Sequence, residues 1–398
     1  MKLSIVTETF PPEINGVALT FGHVARELSR RNHAVTVFRP ARRDRFLIGE
    51  PYREVPLPGV PIPGYPLLRV GLPAPLALRR YWRTERPDLV HVVTEGPLGA
   101  SAIRAARALR IPVTSSFHTN FHRYMRHYRC APLERIALGW LRRVHNRTRC
   151  TFVPTLELRE ELAQLGFANL RLFSRGVDTA QFTPARRSAP LRARWGAGPD
   201  DPVVLHVGRM AAEKNYPLLL ATFAAMRSAQ PHCRFVLVGD GPLRASLERA
   251  HPEFRFTGFV SRDELAQYYA SADIYVHASL TETFGNVLTE AMASGLAVAA
   301  FDYASARLFI RSGVNGLNVP CAAPDALVDA AVALASSAGL RERLRTAARA
   351  ALAEQSWPRV IARFEADLLE VIAEAQPAAA RTPLAFSVRA SPTAESSP

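Results

Sequence analysis

Two glutamates beside a glycine turn are the residues of this sequence best suited to chemistry. Glu282 and Glu290 are separated by seven residues, within Thr281-Glu-Thr-Phe-Gly-Asn-Val-Leu-Thr-Glu290. An apolar strand is expected just before this stretch, at 273–277, and a helix is expected to begin at the turn 284–286. The first amides of a helix lack intrahelical acceptors and lie at the positive end of its dipole, so they favour an anion. Backbone amides can bind a phosphate, and carboxylates beside them can bind hydroxyl groups. This combination fits a sugar nucleotide.

Strands and helices alternate through the whole chain and must position this turn. Short apolar runs predict strands separated by segments with helical periodicity. The predicted strands are 3–7, 34–38, 88–93, 112–117, 151–154 and 170–173 in the first half, and 202–208, 234–239, 254–257, 273–277 and 296–300 in the second. This alternation predicts an α/β fold with two Rossmann-like, doubly wound domains that face a central cleft.

The length of 398 residues is enough for two or three domains. We place the first domain at 1–174, an interdomain linker at 175–187 and the second domain at 188–355. A last helix is expected at 356–375. Residues 376–398 are rich in Ala, Pro and Ser, which is typical of a disordered tail.

The charge of the chain is uneven. The net charge is +15, but residues 1–185 hold 28 Lys or Arg against 14 Asp or Glu, whereas residues 186–398 hold 22 against 21. A basic N-terminal half predicts an anionic partner, which on charge alone is membrane lipid, nucleic acid or an acidic acceptor.

Residues 123–149 concentrate that charge. They contain eight arginines, the single acid Glu134, and interleaved aromatic and aliphatic residues. Pro132 is expected to divide the segment into two helical pieces. A basic, amphipathic, aromatic segment is typical of an element that lies on a membrane surface, and the alternative is a solvated helix packed by its apolar face. No apolar run is long enough to span a bilayer, no signal peptide is evident, and four scattered cysteines favour a reducing cytoplasm.

Two further candidates stand where predicted strands end, which is where open α/β sheets bind ligands. Asn15-Gly16 follows the first strand, and His118 follows the strand 112–117. On the residues alone, a plain turn at Asn15-Gly16 and a structural role for His118 remain the alternatives.

These segments together resemble the retaining glycosyltransferases of the GT-B fold. The resemblance rests on the E-x7-E spacing, on Gly208-Arg-Met-Ala-Ala-Glu-Lys-Asn215, and on the linker Arg175-Gly-Val-Asp-Thr-Ala-Gln-Phe-Thr-Pro184. It covers about residues 1–375. Ser116-Phe-His-Thr-Asn-Phe-His122 looks closest to bacterial mannosyl- and sulfoquinovosyl-type lipid glycosyltransferases. The resemblance implies that the first domain binds the acceptor, that the second binds the nucleotide sugar, and that the last helix crosses back to the first domain.

The resemblance also implies catalytic and binding roles for individual residues. Arg209 and Lys214 would stabilise the diphosphate leaving group, as fixed cations in a water-poor cleft can. Glu282 would contact hexose hydroxyls, Glu290 ribose hydroxyls, and His118 would lie beside the donor sugar. The other implied donor contacts are Gly16, Gly208, Val260, Phe284, Gly285, Asn286 and Val287.

We therefore expect a retaining glycosyltransferase that moves a hexose to a lipid or glycan acceptor at the inner membrane face. The favoured donor is GDP-mannose, and a UDP-sugar carrying glucose or sulfoquinovose is the alternative. The resemblance implies front-face transfer, in which the departing phosphate helps to deprotonate the acceptor. We expect no metal or other cofactor, because no D-x-D pair ends a strand. An NAD enzyme is disfavoured because no G-x-G-x-x-G follows a strand, and a nucleic-acid-binding protein because no such module is evident.

Overall fold

The computed structural model describes residues 1–13, 15–42, 49–62, 65–118, 131–279 and 281–375. The tail expected at 376–398 and residues 123–130 of the basic segment lie outside these ranges. Within the described ranges, no helix combines the length and the apolar character needed to cross a bilayer.

The N-terminal half forms a seven-stranded parallel sheet with a small antiparallel hairpin beside it. Its strands are β1 (Lys2–Val6), β2 (Ala34–Pro40), β3 (Arg53–Leu57), β4 (Gly59–Ile62), β5 (Tyr65–Gly71), β6 (Leu89–Val92), β7 (Val113–Ser116), β8 (Cys150–Val153) and β9 (Leu170–Leu172). Its helices are α1 (Gly16–Arg30), α2 (Pro75–Thr84), α3 (Pro97–Ala108), α4 (Ala131–His145) and α5 (Leu156–Gln164). The sheet order is β3-β2-β1-β6-β7-β8-β9, and β4 pairs with β5 in the hairpin.

The C-terminal half forms a second parallel sheet of six strands. Its strands are β10 (Val203–Val207), β11 (Arg234–Val238), β12 (Arg255–Phe256), β13 (Ile274–His277), β14 (Ala297–Phe301) and β15 (Leu317–Val319), in the order β12-β11-β10-β13-β14-β15. Its helices are α6 (Ala189–Arg194), α7 (Tyr216–Ala229), α8 (Arg244–Ala250), α9 (Arg262–Ser271), α10 (Asn286–Ala293), α11 (Ser305–Phe309), α12 (Pro324–Ser336) and α13 (Ala338–Ala351), and α14 (Trp357–Ala375) follows. Two doubly wound α/β units are thus confirmed.

Helices cover both faces of each sheet, and this explains the apolar strand sequences. Every residue of β6, β7, β8, β10, β13 and β14 is buried. A parallel strand buried on both faces favours a continuous apolar run, rather than alternation. In β7 the buried Thr114, Ser115 and Ser116 instead form hydrogen bonds with other buried side chains. Among the described residues, two large apolar clusters pack against each sheet, one on each face, and a smaller cluster joins β8 to α4 and α5.

Local capping explains where several helices begin. Asn15 Oδ1 accepts hydrogen bonds from the amides of Val17 and Ala18 at 3.1 and 2.9 Å, so this residue is the N-cap of α1. Ser261 and Glu264 form a capping box at the start of α9. Pro132 lies in the first turn of α4, which is one of the two expected helical pieces, and the piece expected before it lies outside the described residues.

Helix α14 belongs to the apolar core of the N-terminal sheet. Val360, Ile361, Phe364 and Leu368 are buried in the cluster that also holds residues of β1 and α1. The Phe364 ring stacks on that of Phe173, with centroids 4.2 Å apart. The chain therefore passes from the second sheet back to the first before the described residues end.

Candidate active site

The predicted site residues lie in the loops and first helical turns that follow strands in both sheets. Asn15-Gly16 follows β1 and His118 follows β7, whereas Lys214 follows β10 and Glu282 follows β13. Parallel strands end at one edge of their sheet, so each set gathers at one edge.

Arg175, in the linker, connects the two edges. Its Cζ atom lies 5.8 Å from the centroid of the Phe284 ring in the second domain. A Cβ atom at Gly16 in the first domain would collide with its guanidinium group. Arg175 is only 7 % exposed, and its Nε has no hydrogen-bond partner among the described residues. Burial lowers the pKa of Arg175 to about 10, while the charge of Glu282 acts in the opposite direction. The guanidinium is thus a charged group held between the domains.

The role of Arg175 was missed at the sequence level. The linker motif that begins with this residue was identified, but no function was given to the arginine itself. The sequence did hold a signal for this contact, because a glycine at position 16 leaves room for a large side chain from the linker, such as that of Arg175. The two are 159 positions apart in the chain, so only the tertiary structure shows their contact.

Lys214 and Glu282 form an ion pair. Lys214 ends the 3-10 turn Ala212–Lys214, and its Nζ contacts Oε1 of Glu282. The side chains are 18 % and 14 % exposed respectively. Burial works to raise the pKa of Glu282, but Lys214 and His277, with hydrogen bonds, hold the pKa below its usual value. In this arrangement the carboxylate is ionised and its charge is balanced by the ammonium.

The glycine loop around Gly208 lies under this pair. Gly208 donates its N–H to the carbonyl of Val238 at 3.0 Å. A Cβ atom at Gly239, where φ is +128°, would collide with the carbonyl oxygen of Gly208. Only glycine permits both this φ and this close approach of two backbones. The sequence analysis placed Gly208 in the site and did not anticipate the supporting role of Gly239.

Arg209 is separate from the ion pair. Its guanidinium pairs with Glu213 at 3.3 Å, and its side chain is 59 % exposed. Its neighbour Gly208 lies in the loop that carries Lys214. The structure therefore brings Lys214 to Glu282 but leaves Arg209 at the surface, available to turn toward a ligand.

The Glu-bearing turn leads into α10 as expected. Gly285 is the N-cap, with φ of +89°, and the helix begins at Asn286. Ser305 donates its N–H to the carbonyl of Phe284 at 2.9 Å, and the Tyr303 hydroxyl donates to the carbonyl of Glu282 at 2.8 Å. These bonds hold the turn that presents the first amides of α10, including that of Val287. The Oδ1 atom of Asn286 is buried without a hydrogen-bond partner among the described residues.

Glu290 lies one turn into α10 and contacts Tyr269. The Tyr269 hydroxyl is 3.2 Å from Oε2 of Glu290 and also 3.2 Å from the carbonyl oxygen of Val287. Burial raises the pKa of Glu290 to about 7, while the charge of Arg262 opposes the shift. The carboxyl group can therefore gain or lose a proton near neutrality.

His118 is buried at the end of β7 and is 6 % exposed. Its ring meets that of Phe21 edge-on at 5.4 Å, and neither ring nitrogen has a hydrogen-bond partner among the described residues. Burial, followed by the charge of Arg175, holds the pKa of His118 well below its usual value. The imidazole is neutral, with one N–H donor and one acceptor unused.

Val260 is partly buried against the apolar cluster of the second sheet, next to Phe259, which is 85 % exposed. Among the described residues, no group of three or more His, Cys, Asp or Glu side chains is placed to hold a metal ion. Metal independence of the reaction stays a prediction.

Fold and site together define a class, the glycosyltransferases of the GT-B fold, with two Rossmann-like domains and a cleft between them. The model described as Glycosyltransferase Family 4 matches residues 14–181, and that described as Glycosyl transferases group 1 matches residues 201–337. The chain belongs to the glycosyltransferase family that these two models describe, and the expected hexosyltransferase activity is confirmed.

Several relatives share most of this chain. A GDP-mannose-dependent alpha-mannosyltransferase of Mycobacterium tuberculosis is 34 % identical over 90 % of this chain and 93 % of its own length. A protein of the same description from Corynebacterium glutamicum is 34 % identical over 80 % and 76 %. An alpha-monoglucosyldiacylglycerol synthase of Streptococcus pneumoniae is 27 % identical over 75 % and 71 %.

Solved structures share the fold at lower identity. Sucrose-phosphate synthase from Thermosynechococcus elongatus superposes with a TM-score of 0.77 at 18 % identity, over 94 % of this chain and 100 % of that one. Anabaena HepE in complex with UDP gives 0.75 at 19 % identity, over 93 % and 100 %. These likenesses establish the architecture.

Proposed function

We propose that this glycosyltransferase moves an α-mannosyl group from GDP-mannose, with retention of configuration, to a lipid or glycan acceptor. The observation that carries the proposal is the 34 % identity to a GDP-mannose-dependent alpha-mannosyltransferase over 90 % of the chain. The second candidate donor is a UDP-sugar that carries glucose or sulfoquinovose. It is favoured by the 27 % identity to an alpha-monoglucosyldiacylglycerol synthase.

Donor binding begins with the diphosphate in this proposal. A diphosphate carries more negative charge than one carboxylate, so it competes with Glu282 for the ammonium of Lys214. The first amides of α10 and the exposed guanidinium of Arg209 supply further donors. Once Lys214 turns to the phosphate, the Glu282 carboxylate can accept hydrogen bonds from hexose hydroxyls in addition to the one from Ser279.

The chemical step needs stabilisation of the leaving group. As the bond from the anomeric carbon to the phosphate oxygen breaks, negative charge grows on the diphosphate. Lys214, Arg209 and Arg175 are the cations we assign to that charge. Lys214 and Arg175 are already held at the site, which lowers the reorganisation needed. The departing phosphate oxygen takes the proton of the acceptor hydroxyl on the same face, and that hydroxyl oxygen forms the new glycosidic bond.

Two other residues orient the donor. The neutral His118 has an unused N–H and an unused lone pair, so we assign it to a hydroxyl of the transferred hexose. Glu290 is assigned to the ribose hydroxyls, because an ionised carboxylate accepts hydrogen bonds from hydroxyl groups well. The remaining assigned donor contacts are Gly16, Gly208, Val260, Phe284, Gly285, Asn286 and Val287.

The acceptor is proposed to lie at an anionic membrane surface on the cytoplasmic side. Support comes from α4, whose Ile136 and Trp140 side chains are 70 % and 43 % exposed. A groove of about 200 Å³ between α3 and α4 is lined by Ala100, Ile103, Arg104, Trp140, Arg143, Val144 and Arg147. Three guanidinium groups beside an indole suit the headgroups and the interface of an anionic bilayer.

Donor choice can be tested with purified protein and a panel of GDP, UDP, ADP, GDP-mannose, UDP-glucose and NAD. Each is added in turn while the melting temperature is measured, because a ligand of the native state stabilises it by mass action. GDP-mannose and GDP are expected to stabilise the protein most. Stabilisation by UDP and UDP-glucose alone would replace mannose with the second candidate. If none of the six stabilised a well-folded sample, the donor site itself would be rejected.

A further inference from the structure

Two buried histidines lie beneath the Lys214–Glu282 ion pair. His206 is in β10 and is 1 % exposed, and His277 ends β13 and is 6 % exposed. The two strands are neighbours in the second sheet. Neither imidazole has a part in the reaction described so far. Buried polar rings need hydrogen-bond partners, so their surroundings indicate what they serve.

The surroundings of His206 determine which nitrogen carries the proton. Nδ1 lies 3.5 Å from the carbonyl oxygen of Val276, which accepts hydrogen bonds and donates none. The proton therefore belongs on Nδ1, and Nε2 keeps its lone pair. Nε2 has no hydrogen-bond partner among the described residues. It lies 3.7 Å from the point where a Cβ at Gly208 would be, and Cε of Lys214 lies 3.7 Å from that same point.

His277 has the opposite arrangement. Its Nε2 lies 3.7 Å from Oε1 of Glu282, an ionised oxygen that only accepts. The proton therefore belongs on Nε2. Nδ1 then keeps its lone pair and faces the hydroxyl of Tyr275 at 3.5 Å, whose one proton can be donated to this lone pair or to the carbonyl oxygen of Val207 at 3.4 Å. The Nε2 atom of His206 is thus a hydrogen-bond acceptor on the side of Lys214, and the Nε2 atom of His277 is a donor on the side of Glu282.

Both rings stay neutral near neutral pH. Burial lowers the pKa of His206 to about 3, with smaller contributions from His277 and Lys214. Burial lowers the pKa of His277 to about 4, although Glu282 acts in the opposite direction. Neutral tautomers are therefore the relevant species. In a neutral imidazole the nitrogen with a lone pair can accept a hydrogen bond from a cation, and the nitrogen with a proton can donate one to an anion.

We propose that His206 and His277 are positioning residues that receive Lys214 and Glu282 when the donor separates them. The Nε2 lone pair of His206 accepts a hydrogen bond from the ammonium, and the Nε2–H of His277 donates one to the carboxylate. The separation of 3.7 Å between Nε2 of His277 and Oε1 of Glu282 exceeds hydrogen-bond length, so this contact closes only after the ion pair opens. The inference rests on the proposed role of this pair in donor binding.

The physical reason lies in the cost of opening a half-buried ion pair. Opening the pair removes the mutual attraction of the two charges, and this loss is expensive in a site with little solvent. Diphosphate and hexose hydroxyls replace part of that interaction. An imidazole of the matching tautomer supplies one more hydrogen bond to each charge, and a hydrogen bond to a charged group is worth more than a neutral one.

The tautomers can be tested in the ligand-free protein. A two-bond proton–nitrogen NMR spectrum distinguishes Nδ1–H from Nε2–H imidazoles, and the His206→Phe and His277→Phe variants assign the two signals. We expect Nδ1–H for His206 and Nε2–H for His277. Identical tautomers, or a protonated ring at pH 7, would overturn the inference. This spectrum needs no nucleotide, so its result stands whether or not the donor proposal holds.

Donor binding supplies the second test. His206→Phe is expected to weaken nucleoside diphosphate binding by calorimetry about tenfold, the value of one charged hydrogen bond. His206→Gln, which places an amide oxygen near the position of Nε2, is expected to restore it. His277→Phe should leave diphosphate affinity near that of wild type and weaken the intact sugar nucleotide instead, and His277→Gln should restore this through its amide N–H.

The outcomes separate the two proposals. His251→Gln, a change at a half-exposed imidazole in the same domain, is the control and should keep wild-type affinities. If wild-type protein bound no nucleoside diphosphate, the proposed function would fail. If wild type bound and the Phe variants bound equally well, the positioning role would fail. The same would follow if both Phe variants lost affinity and the Gln variants did not recover it, since the histidines would then be packing elements only.

Discussion

Gly16 and the guanidinium of Arg175 occupy adjoining space, and no side chain larger than hydrogen fits at position 16 without moving the arginine. The contact joins the loop after β1 to the interdomain linker. Arg175 also lies over the Phe284 ring, so the same side chain contacts the Glu-bearing turn of the second domain. A glycine in one domain thereby controls a cation that faces the other.

Gly16→Ala is therefore expected to displace Arg175 and reduce kcat/KM for transfer by about tenfold or more, since misplacing one fixed charge in a cleft has costs of this order. Donor saturation kinetics are the measurement. Gly339→Ala is the matched control, because a Cβ there meets nothing within 4 Å. Equal kcat/KM for both variants would show that Arg175 has no part in transfer.

The ion pair makes a prediction about stability as well as activity. Lys214→Ala leaves the Glu282 carboxylate half-buried without its cation, so both the free energy of unfolding and transfer should fall, the latter by about a hundredfold or more. The double variant Lys214→Ala/Glu282→Gln should regain part of the stability and none of the activity. Denaturant unfolding and transfer rates measure the two. A double variant as unstable as the sum of both single changes would contradict the pairing.

Glu290 makes donor affinity depend on pH. Its pKa of about 7 lies above the ordinary 4.5. Ribose hydroxyls prefer the ionised carboxylate, so affinity for the nucleotide should rise as pH increases through about 7 and then level off. Glu290→Gln should bind more weakly and show a flat profile. Calorimetric titrations from pH 5.5 to 8.5 measure this, and an unchanged slope in the variant would assign the dependence elsewhere.

The same carboxyl group affects folding with a definite sign. A folded-state pKa above the unfolded value means that the native protein holds the proton more tightly. The free energy of unfolding should therefore decrease as pH rises from about 4.5 to about 7, and Glu290→Gln should remove part of that decrease. Burial also raises the pKa of Glu8 to about 7, so the difference between variant and wild type, rather than the wild-type curve, isolates Glu290.

The arginine groove predicts salt-dependent binding to anionic vesicles. Replacing Arg104, Arg143 and Arg147 with Gln should reduce binding to vesicles that contain phosphatidylglycerol, because each basic residue near the surface is worth about 1 kcal/mol. The control replaces three exposed arginines of the second domain, Arg249, Arg255 and Arg343. Sedimentation with vesicles at low and high salt measures the difference. Equal loss in both triple variants would mean that net charge matters and the groove does not.

Metal removal gives the last prediction. Cations of the protein are assigned to the leaving diphosphate, so EDTA is expected to leave the transfer rate unaltered. The rate is measured after dialysis against the chelator and again after Mg²⁺ is added back. Complete loss that Mg²⁺ restores would contradict metal independence.

Much of the architecture followed from local patterns. Buried strands of a parallel sheet are apolar runs, and helices between them show their own periodicity, so both α/β units and the Glu-bearing turn could be predicted. The short edge strand β15 could not, because three residues at the edge of a sheet leave only a weak pattern. The resemblance also identified Lys214 and Glu282, each in its own motif.

The sequence by itself determined which residues are capable of the chemistry, because residue type and local spacing are properties of the chain. The tertiary structure decided which of them meet. It paired Lys214 with Glu282, set Arg209 apart from that pair, brought Arg175 against Gly16 and Phe284, and placed His206 and His277 under the ion pair. Such contacts depend on how two sheets and a linker pack, and packing joins positions whose separation along the chain leaves no local signal.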